Sequence, residues 1–173
     1  MKKHSDYITH INNEEDVIYL KTKHFPVNMR LFHTSPEYKE IILQQCNYIR
    51  QNCLETKKGY KKPHGMSSAN CGLAFNIIGI TRNRNTKDEF CQIMINPSYF
   101  PIKEDGFIES ESNCGSLTLD KPISIKRWKN VEVTYYEENG KQYKSIFSYL
   151  HCGKTIQHEI DHNLGILITD YQK

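Results

Sequence analysis

The chain has 173 residues, of which 38% are hydrophobic and 25% charged, with a formal net charge of +3. That length suits one domain with a buried core, and the balance excludes a disordered or fibrous polymer. Positive charge is scattered (Lys21 and Lys23, residues 57–62, residues 126–129) rather than gathered into a stripe, which argues against a nucleic-acid partner.

No run of eighteen apolar residues exists, so no membrane partner is expected. The first sixteen residues turn acidic before a secretory core could form. They are polar enough to be expected flexible at the start of a single domain over 1–173. The cysteines Cys46, Cys53, Cys71, Cys91, Cys114 and Cys152 show no close CxxC spacing, and without an export signal they read as free thiols of a cytoplasmic protein.

In chain order, the first clear element is a helix entered at Ser35, with Ser as N-cap, Pro36 at the first helical position and Glu37 in the first turn. Tyr38, Ile42, Cys46, Ile49 and Cys53 then share one face. Residues 57–68 lack apolar periodicity and read as a loop. Strands are expected over 77–81, over 90–95 ending at Asn96-Pro97, and over 131–136, with 141–146 returning as a hairpin partner. The last element reads as a helix from an N-cap at Ser148 to about Leu164, ending at Gly165. Strands outnumber helices without strict alternation, so the class is α+β.

That last helix carries His158-Glu159-Ile160-Asp161-His162, an HExxH pattern. Imidazoles four residues apart on a helix stand one above the other and can share a metal ion, with Glu159 beside them. The plain alternative is a solvated helix face. A catalytic ion of this kind needs a third protein ligand and an open position for water. Among the thiols, Cys114 in the turn-like SNCGSL is the best placed. Cys46 and Cys53 belong to an apolar helix face, Cys91 alternates within a strand, and Cys152 also reads as packing.

Cys114, a gap of forty-odd residues and then QHEIDHNLGIL (157–167) resemble the arrangement of peptide deformylases. CGLAFNIIG (71–79) is similar to that family's Gly-Leu-Ala-Ala-x-Gln motif, INP (95–97) to its strand end, and VTYYEENGK (133–141) to its later hairpin. The resemblance covers roughly residues 35–173. It implies mixed or antiparallel sheets packed around a central C-terminal HExxH helix. It also implies a hydrolase that removes the N-formyl group from formyl-methionyl peptides or nascent chains. One ion, Fe(II) or Zn(II), would be held by Cys114, His158 and His162 and would activate a water for attack on the formyl carbonyl. Glu159 would act as general base and then acid, the Gly115 N–H would stabilise the oxyanion, and Gly72 and Leu73 would touch substrate. The sequence reports no oligomeric state, and a monomer is the simplest reading.

The chain departs from the family at three places. Counting from Gly72, the Gln position falls on Ile77, which donates nothing, and Asn76 would serve only through a local bulge. Ser112-Asn113-Cys114-Gly115-Ser116 stands where the family has Glu-Gly-Cys-Leu-Ser. On a continuous ligand helix, His151, Lys154 and Thr155 would share the face of His158 and make a polar substrate wall. These departures predict a weak enzyme. Two alternatives stay open: a deformylase-like metal-binding protein with lost or altered activity, acting on another N-acyl substrate or as a binding module, and an HExxH peptidase cutting internal peptide bonds.

Overall fold

The computed structural model describes residues 18, 20–55, 62–117 and 121–172. The segment 1–16, expected to be flexible, lies outside the described residues, as does the start of the 57–68 loop.

Helix α1 (Met29–Thr34) is capped by the Asn28 side chain, which accepts from the Leu31 N–H. Helix α2 (Pro36–Leu54) starts as its sequence dictates, with Ser35 Oγ accepting the Tyr38 N–H at 3.2 Å. Its apolar face, Ile42, Cys46, Ile49 and Cys53, is fully buried.

The strands are β1 (Gly65–Ser67), β2 (Ile77–Arg82), β3 (Phe90–Pro101), β4 (Phe107–Ser112), β5 (Ile123–Trp128), β6 (Asn130–Tyr136) and β7 (Gln142–Ser148). Among the described residues they form a five-stranded sheet in the order β1-β2-β3-β6-β7 and a β4-β5 pair, with every pairing antiparallel. Helix α3 (Lys154–Asn163) packs against β1 and β2, giving the α+β arrangement expected.

Strand β2 explains how the layers divide. Its side chains alternate, so Ile77 joins the core under α2, with Ile42, Ile49, Ile93 and Ile95. Ile78 and Ile80 join the opposite core, with Ile156 and Ile160 of α3. Burying each of these isoleucines contributes about 1.5–3 kcal/mol. A third cluster, including Cys114, Ile123, Ile125 and Leu167, fills the space behind the β4-β5 pair.

The structure differs from the sequence expectations in several elements. Strand β3 does not stop at Asn96-Pro97 but continues to Pro101 through a register shift between Ile95 and Ser98. Asn96, at φ +51°, binds the Val27 backbone with both ends of its amide, accepting from N at 2.7 Å and donating to O at 2.8 Å. Residues 65–67, expected as loop, are strand β1, and β4 and β5 form where the sequence pattern suggests no element.

The final helix does not start at Ser148, whose backbone is extended and whose side chain makes no cap bond. Residues Tyr149–Gly153 form a wide turn in which His151 (φ −114°, ψ 65°) and Cys152 (φ 73°) are not helical. The turn is pinned from outside: the Tyr149 N–H donates to Lys129 O at 2.7 Å, and its hydroxyl pairs with Ser110 Oγ. At the other end the helix closes as expected before Gly165, at φ +76°. Among the described residues no helix is long and apolar enough to cross a membrane.

Candidate active site

Helix α3 sets His158 and His162 on successive turns with ring centroids 4.5 Å apart and their Nε2 atoms 3.2 Å apart. Cys114, on the turn after β4, brings Sγ to 3.3 Å from His162 Nε2. All three donor atoms lie within 4.8 Å of one another. A tetrahedral ion with M–N near 2.0–2.1 Å and M–S near 2.3 Å spaces its ligand atoms by roughly 3.3–3.6 Å, so the residues fit a metal ion.

The electrostatics suit the same group. Burial, with the Arg127 guanidinium and His24 adding, pushes His162 down to about 4. Burial, His162, Arg127 and Lys154 hold His158 well below its ordinary value. Both rings therefore stay neutral and keep a lone pair for a cation. Burial pushes the Cys114 thiol up to about 11, against the opposing influence of the Ser116 backbone and side chain.

Glu159 is buried beside His158, and burial pushes its carboxyl up to about 8. Its Oε2 has no protein partner. Strand β1 can lie this close only because residue 65 is glycine: a Cβ there would sit 2.6 Å from Thr155 Cγ2 and 3.0 Å from Glu159 Cγ.

Two buried contacts hold α3 in place. Gln157 accepts from the Trp128 N–H and donates to Trp128 O, both at 3.0 Å, tying the helix to the end of β5. Asp161 is ion-paired with Arg127 of β5 and accepts the Tyr171 hydroxyl at 2.7 Å.

A cavity of about 570 Å³ opens in front of His158, Glu159 and His162. Gly115, Lys154 and Thr155 line it. Gly72 and Leu73 do not: Gly72 closes a 3₁₀ turn at φ +67°, and Leu73 packs against the core under α2. Ile77 is fully buried on the α2 side of β2, facing away from the ligand helix, so it does not occupy an oxyanion position. Asn76 accepts from Asn163 Nδ2 at 3.0 Å and is not a cavity residue. His151 is exposed, bonded to Ser148 Oγ at 2.9 Å, and borders a separate groove with Arg82 and Tyr135. The wide turn before α3 takes it off the face of His158.

A side-chain amide does line the cavity, that of Asn70 rather than of residue 76 or 77. Gly65-Met66-Ser67-Ser68-Ala69-Asn70 fits the Gly-Leu-Ala-Ala-x-Gln pattern as glycine, an apolar residue, two small residues, any residue and an amide. The literal Gly-Leu-Ala string, Gly72-Leu73-Ala74, lies seven residues later.

A buried carboxyl beside three convergent metal-ligating side chains, reached through a cavity, assigns the chain to the metal-dependent hydrolases. A family model described as Polypeptide deformylase matches residues 23–173, and the chain belongs to that family. It is 33% identical over 148 residues to the peptide deformylase of Karelsulcia muelleri (strain GWSS), an alignment covering 75% of this chain and 76% of that one. A probable peptide deformylase from synechococcus phage S-SSM7 superposes with a TM-score of 0.68 at 22% identity, covering 95% of this chain and 97% of that one. The Met-Ala-Ser-bound class I type b peptide deformylase of Acinetobacter baumannii superposes with a TM-score of 0.70 at 20% identity, covering 95% and 96%.

Proposed function

We propose that this deformylase removes the N-formyl group from formyl-methionyl peptides at the ends of nascent chains in the cytoplasm, using one Fe(II) or Zn(II) ion on Cys114, His158 and His162. The observation that carries the assignment is the convergence of those three donor atoms within 4.8 Å, with Glu159 lining the same cavity. A thiolate with two imidazoles suits either metal. An ion bound there supplies Lewis acidity and lowers the pKa of water.

The chain's own residues do the rest. Glu159 takes the proton from the attacking water and passes it to the leaving amine. The Asn70 amide and the Gly115 N–H donate to the carbonyl oxygen as it gains charge. Among the described residues, strands β1 and β4 each have an unpaired edge bordering the cavity, so an extended peptide can pair its backbone there. The Met-Ala-Ser bound to the Acinetobacter enzyme has the form of a product of that reaction.

The methionine side chain meets a wall less polar than the sequence suggests. His151 is elsewhere, and the Lys154 ammonium is drawn to Ser110 Oγ and Glu111 O, both at 3.3 Å, leaving its aliphatic stem to line the space. Protein purified without oxygen, with its metal content determined, should release formate from formyl-Met-Ala-Ser, and Glu159→Ala should not. Bound metal with no formate favours the altered-activity alternative. Cleavage of unformylated casein favours an endopeptidase.

A further inference from the structure

We infer that Ser67 is a positioning residue, which locks the Asn70 amide so that its N–H faces the reacting carbonyl through a one-way chain of hydrogen bonds ending on Ser116. The inference rests on the deformylase reading above.

The chain of donors has one consistent direction. The Ser67 backbone N–H donates to Asn70 Oδ1 at 3.0 Å, and the Ser67 hydroxyl donates to the same oxygen at 2.6 Å. A backbone N–H can only donate, so the atom it meets must be the amide oxygen, and the amide cannot be flipped. Ser67 Oγ in turn accepts the Asn70 backbone N–H at 3.4 Å. Asn70 Nδ2 donates to Ser116 Oγ. One Nδ2 hydrogen is thereby spent on Ser116, and the other is left for an acceptor in the cavity that Asn70 lines. Ser67, Asn70 and Ser116 are all buried, where such bonds reinforce one another.

The sequence gives this arrangement a purpose. Where the family motif has Ala followed three residues later by Gln, this chain has Ser67 and Asn70. Asn is one methylene shorter, so it must be held in place if it is to aim its amide at a fixed point. The extra hydroxyl at position 67 provides that hold, and Ala in its place would leave the amide oxygen with a single donor.

Ser67→Ala is expected to lower kcat roughly five- to tenfold, the size of one hydrogen bond, with KM within about twofold and metal content unchanged. In an Asn70→Ala background the same change should cost nothing further. A readout independent of metal and turnover is the pair of Asn70 side-chain amide protons in ¹⁵N-labelled, metal-free protein, which should shift in Ser67→Ala. Ser116→Ala, at the other end of the amide, should shift the same pair and serves if Ser67→Ala does not fold. The inference is overturned if Ser67→Ala leaves kcat unchanged, if its cost is the same with and without the Asn70 amide, or if neither variant moves the amide resonances. Wild-type protein that releases no formate while both variants shift those resonances would instead overturn the deformylase reading alone.

Discussion

The two faces of strand β2 hold similar amounts of apolar side chain and serve different ends. Toward α2 stand Ile77 and a cluster in which Cys46, Cys53, Cys71 and Cys91 are buried among isoleucines. Toward α3 stand Ile78 and Ile80, and the helix they support carries His158, Glu159 and His162. A thiol on the first face is a small hydrophobe: burial pushes Cys46 up to about 12. The Cys114 thiol is raised too, to about 11, yet two neutral imidazoles converge on it. What separates a structural cysteine from a ligand here is the company its sulfur keeps, since burial and composition are alike.

Residues 70 and 77 give the sharpest test of that contrast. Asn70→Ala, on the catalytic side, should lower kcat by about 10²- to 10³-fold, the usual cost of one oxyanion donor, with metal content unchanged. Formate release within threefold of wild type would show that Gly115 and the metal suffice.

Ile77→Ala, on the other face, should cost about 2–5 kcal/mol of stability in denaturant unfolding while kcat per bound metal stays as it was. Ile77→Gln should likewise destabilise and bring no gain in turnover, because its amide would enter the α2 core. A tenfold rise in kcat for Ile77→Gln would reverse the assignment of the two positions.

The metal-ligating side of the contrast can be read from protons. At pH 7 the metal-free site holds neutral imidazoles and a protonated Cys114, so the sulfur must give up its proton when a cation binds. Titration calorimetry in buffers of different ionisation enthalpy should find at least one proton released per ion. Apparent affinity should rise by about tenfold per pH unit from this group alone, until pH passes the thiol's own value near 11. No proton release would mean that the sulfur is not a ligand.

His151→Ala should be the mildest change, within about 0.5 kcal/mol in stability and neutral in KM, as for an exposed side chain away from the cavity. A KM shift of fivefold or more would bring the wide turn back into the substrate site.

Much of this was legible in the chain because it is local. Helix α2 follows from Ser35, Pro36 and the spacing of Ile42, Cys46, Ile49 and Cys53, and the imidazoles of His158 and His162 meet because a helix turns every 3.6 residues. Strands β2, β6 and β7 announce themselves by β-branched and aromatic runs. Strand β5 alternates just as strictly, with Ile123, Ile125 and Arg127 inward, but a charged residue at the third inward position hid the pattern. Arg127 can point inward because Asp161 of α3 is there to meet it, a partner thirty-four residues away.

The sequence by itself therefore determined the helix that carries the imidazoles, the carboxyl between them and the thiol that completes the set. The imidazoles and the carboxyl depend on residue type and on spacing along one element, while Cys114 is marked by its residue type in the turn after β4. Only the tertiary structure decided which amide faces the cavity, which side of β2 is catalytic and where the ligand helix begins. Those outcomes depend on long-range contacts: Tyr149 held by Lys129, Asp161 by Arg127, and Asn70 between Ser67 and Ser116. A side chain's direction is set by the contact that satisfies it, and no local pattern encodes a contact with a distant part of the chain.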